Sequence, residues 1–145
     1  MSTLHKLRGT MIYCSPEVCK GEKYTDKSDI YSLAICLWEL VNRCIKGFYE
    51  KPYAENKFES SIQIVVLTPK GLRPKLPEKC PNAVVELLNL CWENDSSLRP
   101  NCEELLEKLQ VVERDLVEHP AMYVEAELRR PSIGESPELT LNRNL

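Results

Sequence analysis

No stretch of this chain is long and apolar enough to cross a bilayer. The most apolar window, residues 30–41, is too short and carries Ser32 and Glu39, so no membrane partner is expected. The opening residues 1–8 are polar and lack the apolar core of a secretory signal. Massed charge of one sign is missing as well: the formal net charge is -3 and Lys and Arg are scattered. That excludes a general attraction for phosphate backbones or anionic lipid, and no nucleic acid partner is expected. Histidine occurs twice, as His5 and His119, neither beside a cysteine pair at ligand spacing, so no metal site is expected. Cysteine is present, at positions 14, 19, 36, 44, 80, 91 and 102, but the set is odd and has no C-x-x-C pair. Four of these lie in apolar or helix-like runs and read as buried free thiols. Such a chain belongs in a reducing compartment, the cytosol or nucleus, with a cytoplasmic location the simplest expectation.

What is present reads as helical throughout. Residues 2–10 are polar, basic and aperiodic, hence a loop. Pro16 and Glu17 suit the first turn of a short helix ending near Gly21. In TDKSD, Asp26 is the expected cap of the next helix, with Asp29 at capping-box spacing. Helix is expected from there to about Asn42. Ile30, Leu33, Ala34, Ile35, Leu37, Trp38, Leu40 and Val41 make it apolar on nearly every face, the pattern of a helix buried on all sides. Residues 44–58 read as an exposed connection. Residues 60–67 favour a strand by β-branched content, yet nothing offers that strand a partner, so a helix is expected. The prolines of residues 69–81 predict an extended linker. Asn82 is the expected cap of a helix with an apolar face through Val84, Leu87, Leu88 and Trp92. Asn101 is the expected cap of a last helix, running through Leu105, Leu109 and Leu116 to Pro120. Residues 119–145 mix Pro, Ser, Glu and Arg without periodicity and read as a disordered tail.

Four separated stretches carry a resemblance. GTMIYCSPE at 9–17 is similar to the G-T-x-x-Y-x-A-P-E signature that closes a protein kinase activation segment. DKSDIYSLAICLWEL at 26–40 is similar to that family's central helix. GLRPKLP at 71–77 resembles a connector typical of the tyrosine-kinase-like group, and CWENDSSLRP at 91–100 resembles the group's C-W-x-x-x-P-x-x-R-P closing motif. Order and spacing agree across about residues 5–112. Two departures, Ser15 for the usual alanine and Ala34 for the usual glycine, each add little volume at a packed site. Ser96 and Ser97 fill the region of the usual proline.

The resemblance implies a mostly α fold, part of the large lobe of a Ser/Thr protein kinase. Residues 1–8 would be a remnant of the activation segment and 9–118 the partial domain. It implies a buried ion pair between Glu17 and Arg99; the plain alternative is two exposed charges. It implies that Asp29 accepts hydrogen bonds from the catalytic loop, against simple compensation of a helix dipole. It implies that Gly9, Thr10 and Tyr13 position a serine or threonine substrate. Ser2 and Thr3 fall where relatives are phosphorylated. In RRPSI, two arginines just before Ser132 offer a further phosphorylation site. Tyr31, Trp38 and Trp92 read as core packing, without ligand contacts.

Phosphoryl transfer needs a nucleotide cradle, a lysine held by a glutamate, an Asp/Asn catalytic loop and a Mg²⁺-holding aspartate. None of G-x-G-x-x-G, V-A-I-K, H-R-D-L-x-x-x-N or D-F-G occurs. ATP and Mg²⁺ therefore belong to the complete domain, and no catalytic residue or cofactor is expected in this chain. A complete domain needs roughly twice this length. Three readings follow: a fragment shortened at Met1 from an active kinase, a non-catalytic module that binds a kinase or substrate partner, or a remnant without function. In the first, the partners are a protein substrate and the missing kinase portion.

Overall fold

The computed structural model describes residues 11–124, and among these five α-helices are joined by loops and single 3-10 turns, with no strand. A 3-10 turn at Met11–Tyr13 leads into α1 (Pro16–Cys19), where proline takes the first position because its missing N–H would have no helical partner there. Gly21, at φ 78, then turns the chain toward α2 (Asp26–Lys46).

The cap of α2 is Thr25, one residue before the expected Asp26. Thr25 is extended, at φ -137 and ψ 175, and completes a capping box with Ser28 in place of Asp29. Ser28 decides the register, because its hydroxyl accepts from the Thr25 N–H at 3.1 Å while donating to Glu17. The helix runs past Asn42 to Lys46 and stops where Gly47 adopts φ 81, closing on the Arg43 carbonyl. Ile30, Tyr31, Ala34, Ile35 and Trp38 form its buried face. Burial on all sides does not hold among the described residues: Leu33 is 41% exposed, Leu40 64%, and Cys36 is exposed too. One face is covered by other helices and the opposite face is bare.

Residues 44–58 are not simply an exposed connection, since Pro52 and Tyr53 are buried and Ala54–Asn56 form a 3-10 turn. α3 (Ser61–Leu67) is helical because Ser60 and Gln63 cap it reciprocally, and Ile64 alone of its apolar residues is buried. The proline-rich connector that follows is pinned to α2 by the Trp38 indole, which donates to the Lys75 carbonyl at 2.9 Å. α4 (Asn82–Cys91) has Pro81 at its N-cap position, and the Pro81 carbonyl accepts from both Val84 and Val85. Asn82 is therefore the first helical residue and caps nothing: the φ -57 and ψ 140 of Pro81 already supply the extended geometry a cap needs. α4 packs on α2 through Val84, Leu87, Leu88 and Cys91.

α5 (Cys102–Glu118) opens with a full capping box between Asn101 and Glu104, both hydrogen bonds at 2.9 Å. Of the tail expected to be disordered from 119, residues 119–124 are folded, and 125–145 lie outside the described residues. Pro120–Met122 turn back, Tyr123 is buried on the core, and its hydroxyl donates to Asp115. Cysteine burial also differs from expectation. Cys91 is buried, Cys14, Cys19 and Cys80 are half-buried, and Cys36, Cys44 and Cys102 are exposed, because the last three sit on solvent-facing positions of α2 and α5.

The returning tyrosine gives a direct check. Tyr123→Phe should cost about 1.5 kcal/mol through loss of a hydrogen bond to a carboxylate, and Tyr123→Ala about 3 kcal/mol through the cavity it leaves. Urea unfolding measures both; two values near zero would mean that Tyr123 does not dock.

Candidate functional site

Glu17 stands in the first turn of α1 and Arg99 in the loop between a 3-10 turn at Ser96–Leu98 and α5. The fold brings them together although 82 positions separate them. Arg99 Nη1 donates to Glu17 Oε1 and Nη2 to Glu17 Oε2, both at 2.8 Å, a bidentate fork with Arg99 1% and Glu17 8% exposed. The remaining donors are not wasted. Arg99 Nε reaches the Glu93 carbonyl and Nη1 also reaches the Lys27 carbonyl, each at 2.8 Å. From the other side, the Ser28 hydroxyl donates to Glu17 Oε1 at 2.7 Å and Lys27 Nζ donates to the Arg99 carbonyl. Burial pushes the Glu17 carboxyl upward, but Arg99 and the hydrogen bonds outweigh it and hold the group at about 2.

Tyr31 lies beneath this pair. Its ring carries the Arg99 guanidinium at 5.2 Å and that of Arg73 at 5.0 Å. Among the described residues Arg73 meets no carboxylate and binds carbonyls instead: Trp92 at 2.8 Å, Thr68 at 3.0 Å and Leu72 at 2.6 Å, with Asn94 Oδ1 at 3.1 Å. Arg73 lies inside the GLRPKLP stretch, whose resemblance implies no role for it. The available signal was an arginine placed next to a proline that becomes buried.

Tyr13 is held at both ends. Ser32 donates to its carbonyl at 2.8 Å, and its hydroxyl donates to Glu39 Oε2 at 2.9 Å, while Tyr49 donates to Glu39 Oε1 at 2.7 Å. Burial and then Glu39 drive the Tyr13 hydroxyl far above its ordinary value, so it stays protonated and a donor. In the sequence Glu39 is only a charge that interrupts an apolar run. Asp29 stands apart from the ion pair, exposed in the first turn of α2, and accepts from the Tyr24 hydroxyl. Gly9, Thr10, Ser2, Thr3 and Ser132 lie outside the described residues. Among the described residues no three His, Cys, Asp or Glu side chains converge to hold a metal ion, and no helix is long and apolar enough to cross a membrane. The arrangement fixes the first turn of α1, the start of α2 and the loop before α5 against one another.

A family model described as "Protein tyrosine and serine/threonine kinase" matches residues 2–109. The chain is similar to stress-activated protein kinase alpha of Dictyostelium discoideum, 45% identical over 117 residues, which cover 79% of this chain and 18% of that protein. A second protein of that organism, named "Probable serine/threonine-protein kinase", is 46% identical over 112 residues, 75% of this chain and 13% of its own length. An ankyrin repeat-containing protein kinase A, again from that organism, is 37% identical over 125 residues, 83% of this chain and 9% of its own. The chain thus spans less than a fifth of each of these relatives.

Because the folded Glu17 carboxyl sits at about 2, below its ordinary 4.5, its contribution to stability is complete above about 4.5 and drains away as pH falls toward 2. Glu17→Gln strands the guanidinium and should cost about 3 to 5 kcal/mol near neutral pH. The variant should also lose less than the parent between those two pH values. Denaturant titrations across the window would show it; parallel pH profiles would mean that the carboxylate does not carry the acid sensitivity.

Proposed function

The chain belongs to the family of protein tyrosine and serine/threonine kinases, and from that premise we propose that it is the rear, helical part of the large lobe of a Ser/Thr kinase of the tyrosine-kinase-like group. The complete domain would transfer phosphate from ATP to serine or threonine of a protein substrate. Within it, this chain supplies the substrate-side floor. The observation that carries the reading is the Glu17–Arg99 fork, since it fastens the end of the SPE stretch to the RP loop, the two motifs that define the resemblance. Gly9 and Thr10 lead into the turn at Met11–Tyr13 and, with Tyr13, would set the position of the substrate hydroxyl. Ser2 and Thr3 would be phosphorylated as part of the activation segment.

The bare face of α2 supports the same reading. Asp29, Leu33, Cys36 and Leu40 recur at intervals of four, three and four residues, one stripe of a helix, and all four are exposed. An aspartate at the head of an apolar stripe is suited to cap backbone donors of a segment laid along it, which is the role proposed for Asp29 toward the catalytic loop. The residues present do not fit Mg-ATP: no nucleotide-binding motif occurs in the sequence and no metal-holding cluster among the described residues. No step of phosphoryl transfer is assigned to them. The same stripe also favours a second reading, a non-catalytic module that engages a kinase or substrate partner through α2.

The in-frame coding sequence before Met1 separates the two. The kinase reading expects H-R-D followed by D-F-G there. An in-frame stop, together with a purified chain that sediments as a monomer, unfolds cooperatively and captures one defined partner, would favour the binding module instead.

A further inference from the structure

Beside Tyr13 lies a cavity of about 440 Å³ walled by Tyr13, Tyr49, Tyr53 and Phe58 and edged by Lys51 and Lys57. Among the described residues its lining contains these two cations and no carboxylate, in a chain whose net charge is -3. The nearby carboxylates are engaged elsewhere. Glu39 receives the two tyrosine hydroxyls, Glu50 is paired with Lys46, and Glu55 accepts from the Lys75 backbone N–H at 2.9 Å. Glu59 is exposed and outside the lining. Lys51 and Lys57 are thereby left without an anionic partner among the described residues.

The backbone of this wall is strained in the same place. Tyr53 at φ 66 and Lys57 at φ 50 are the described non-glycine residues with positive φ, and they bracket the 3-10 turn Ala54–Asn56. Glycine would hold such angles without steric cost. A lysine kept there is a departure from local preference of the kind that gathers at binding sites. The floor is rigid, because both the carbonyl and the hydroxyl of Tyr13 are fixed.

We propose that this cavity reads an acidic side chain, Asp or Glu, flanked by an apolar residue, on the protein segment that docks beside Met11–Tyr13. The carboxylate meets the ammonium groups of Lys51 and Lys57 while the apolar neighbour lies on the aromatic wall. The inference rests on the reading of residues 9–13 as lying next to the substrate, and it names a class within that reading: substrates with an acidic flank.

The test is binding, measured by fluorescence anisotropy of labelled peptides with the whole 145-residue chain. One peptide carries Glu next to Leu, a second carries Gln in place of Glu, and a third carries Lys. The Glu peptide should bind about fivefold tighter than the Gln peptide, the scale of two exposed ion pairs, and the Lys peptide weakest. The preference should vanish in Lys51→Gln/Lys57→Gln and in salt that shortens the screening length to about 3 Å. Lys57→Gly should lose part of the preference without lowering the melting temperature, because glycine relieves the positive φ. Lys23→Gln, away from the cavity, should keep it. Equal affinity for the Glu and Gln peptides, or a preference that survives in the double variant, would overturn the proposal. The readout needs no phosphoryl transfer, so the two ideas fail separately. An upstream stop codon would remove the kinase reading and leave the preference; loss of the preference with H-R-D and D-F-G found upstream would remove the acidic pocket alone.

Discussion

A carboxylate and a guanidinium removed from water together set the terms for the rest of this structure. Each buried charge alone would be costly, so Glu17 and Arg99 depend on each other and on the groups that complete their hydrogen bonding. Both oxygens of Glu17 are taken, and Arg99 extends to the carbonyls of Lys27 and Glu93. Those partners belong to α1, to the start of α2 and to the loop before α5. The pair therefore fixes three parts of the chain that hydrophobic burial alone would leave free to slide. It explains the start of α2 as well, since Ser28 links the Thr25 cap to Glu17.

A second layer follows from the first. Tyr31 offers its ring to Arg99 and to Arg73, so a buried aromatic supports two cations, of which Arg73 has no counter-ion among the described residues. Arg73 is satisfied by carbonyls at the end of α4, the turn after α3 and its own connector. A lysine there would supply one compact charge and lose the planar fork that reaches several acceptors at once. The proline-rich connector is thereby tied to the core at Arg73 and again where Lys75 meets Trp38.

Much of this was legible in the sequence where local rules and motif agree. The helical class, the Asn101 cap, the Glu17–Arg99 partnership and the core positions of Tyr31, Trp38 and Trp92 all follow from spacing or from resemblance, and each has a counterpart in the fold. Where several residues could serve, local rules do not choose between them. Thr25 and Asp26 are both good caps, and a tertiary contact through Ser28 selects the first. Pro81 precedes Asn82 with extended geometry and makes the asparagine redundant. Apolar residues on nearly every face of α2 point to burial on all sides, yet such a pattern does not say whether a covering segment is at hand. The partners of Arg73 and Glu39 are carbonyls and hydroxyls, which leave no charge pattern in the sequence.

The account stands most directly on the energy shared between residues 17 and 99. A double-mutant cycle with Glu17→Gln, Arg99→Met and the two combined, each followed by urea unfolding near neutral pH, measures it. A coupling of at least about 2 kcal/mol, with the combined variant more stable than the sum of the single losses implies, is the predicted result. Strictly additive losses would mean that the two side chains act independently, and that the loops they join are held by something else.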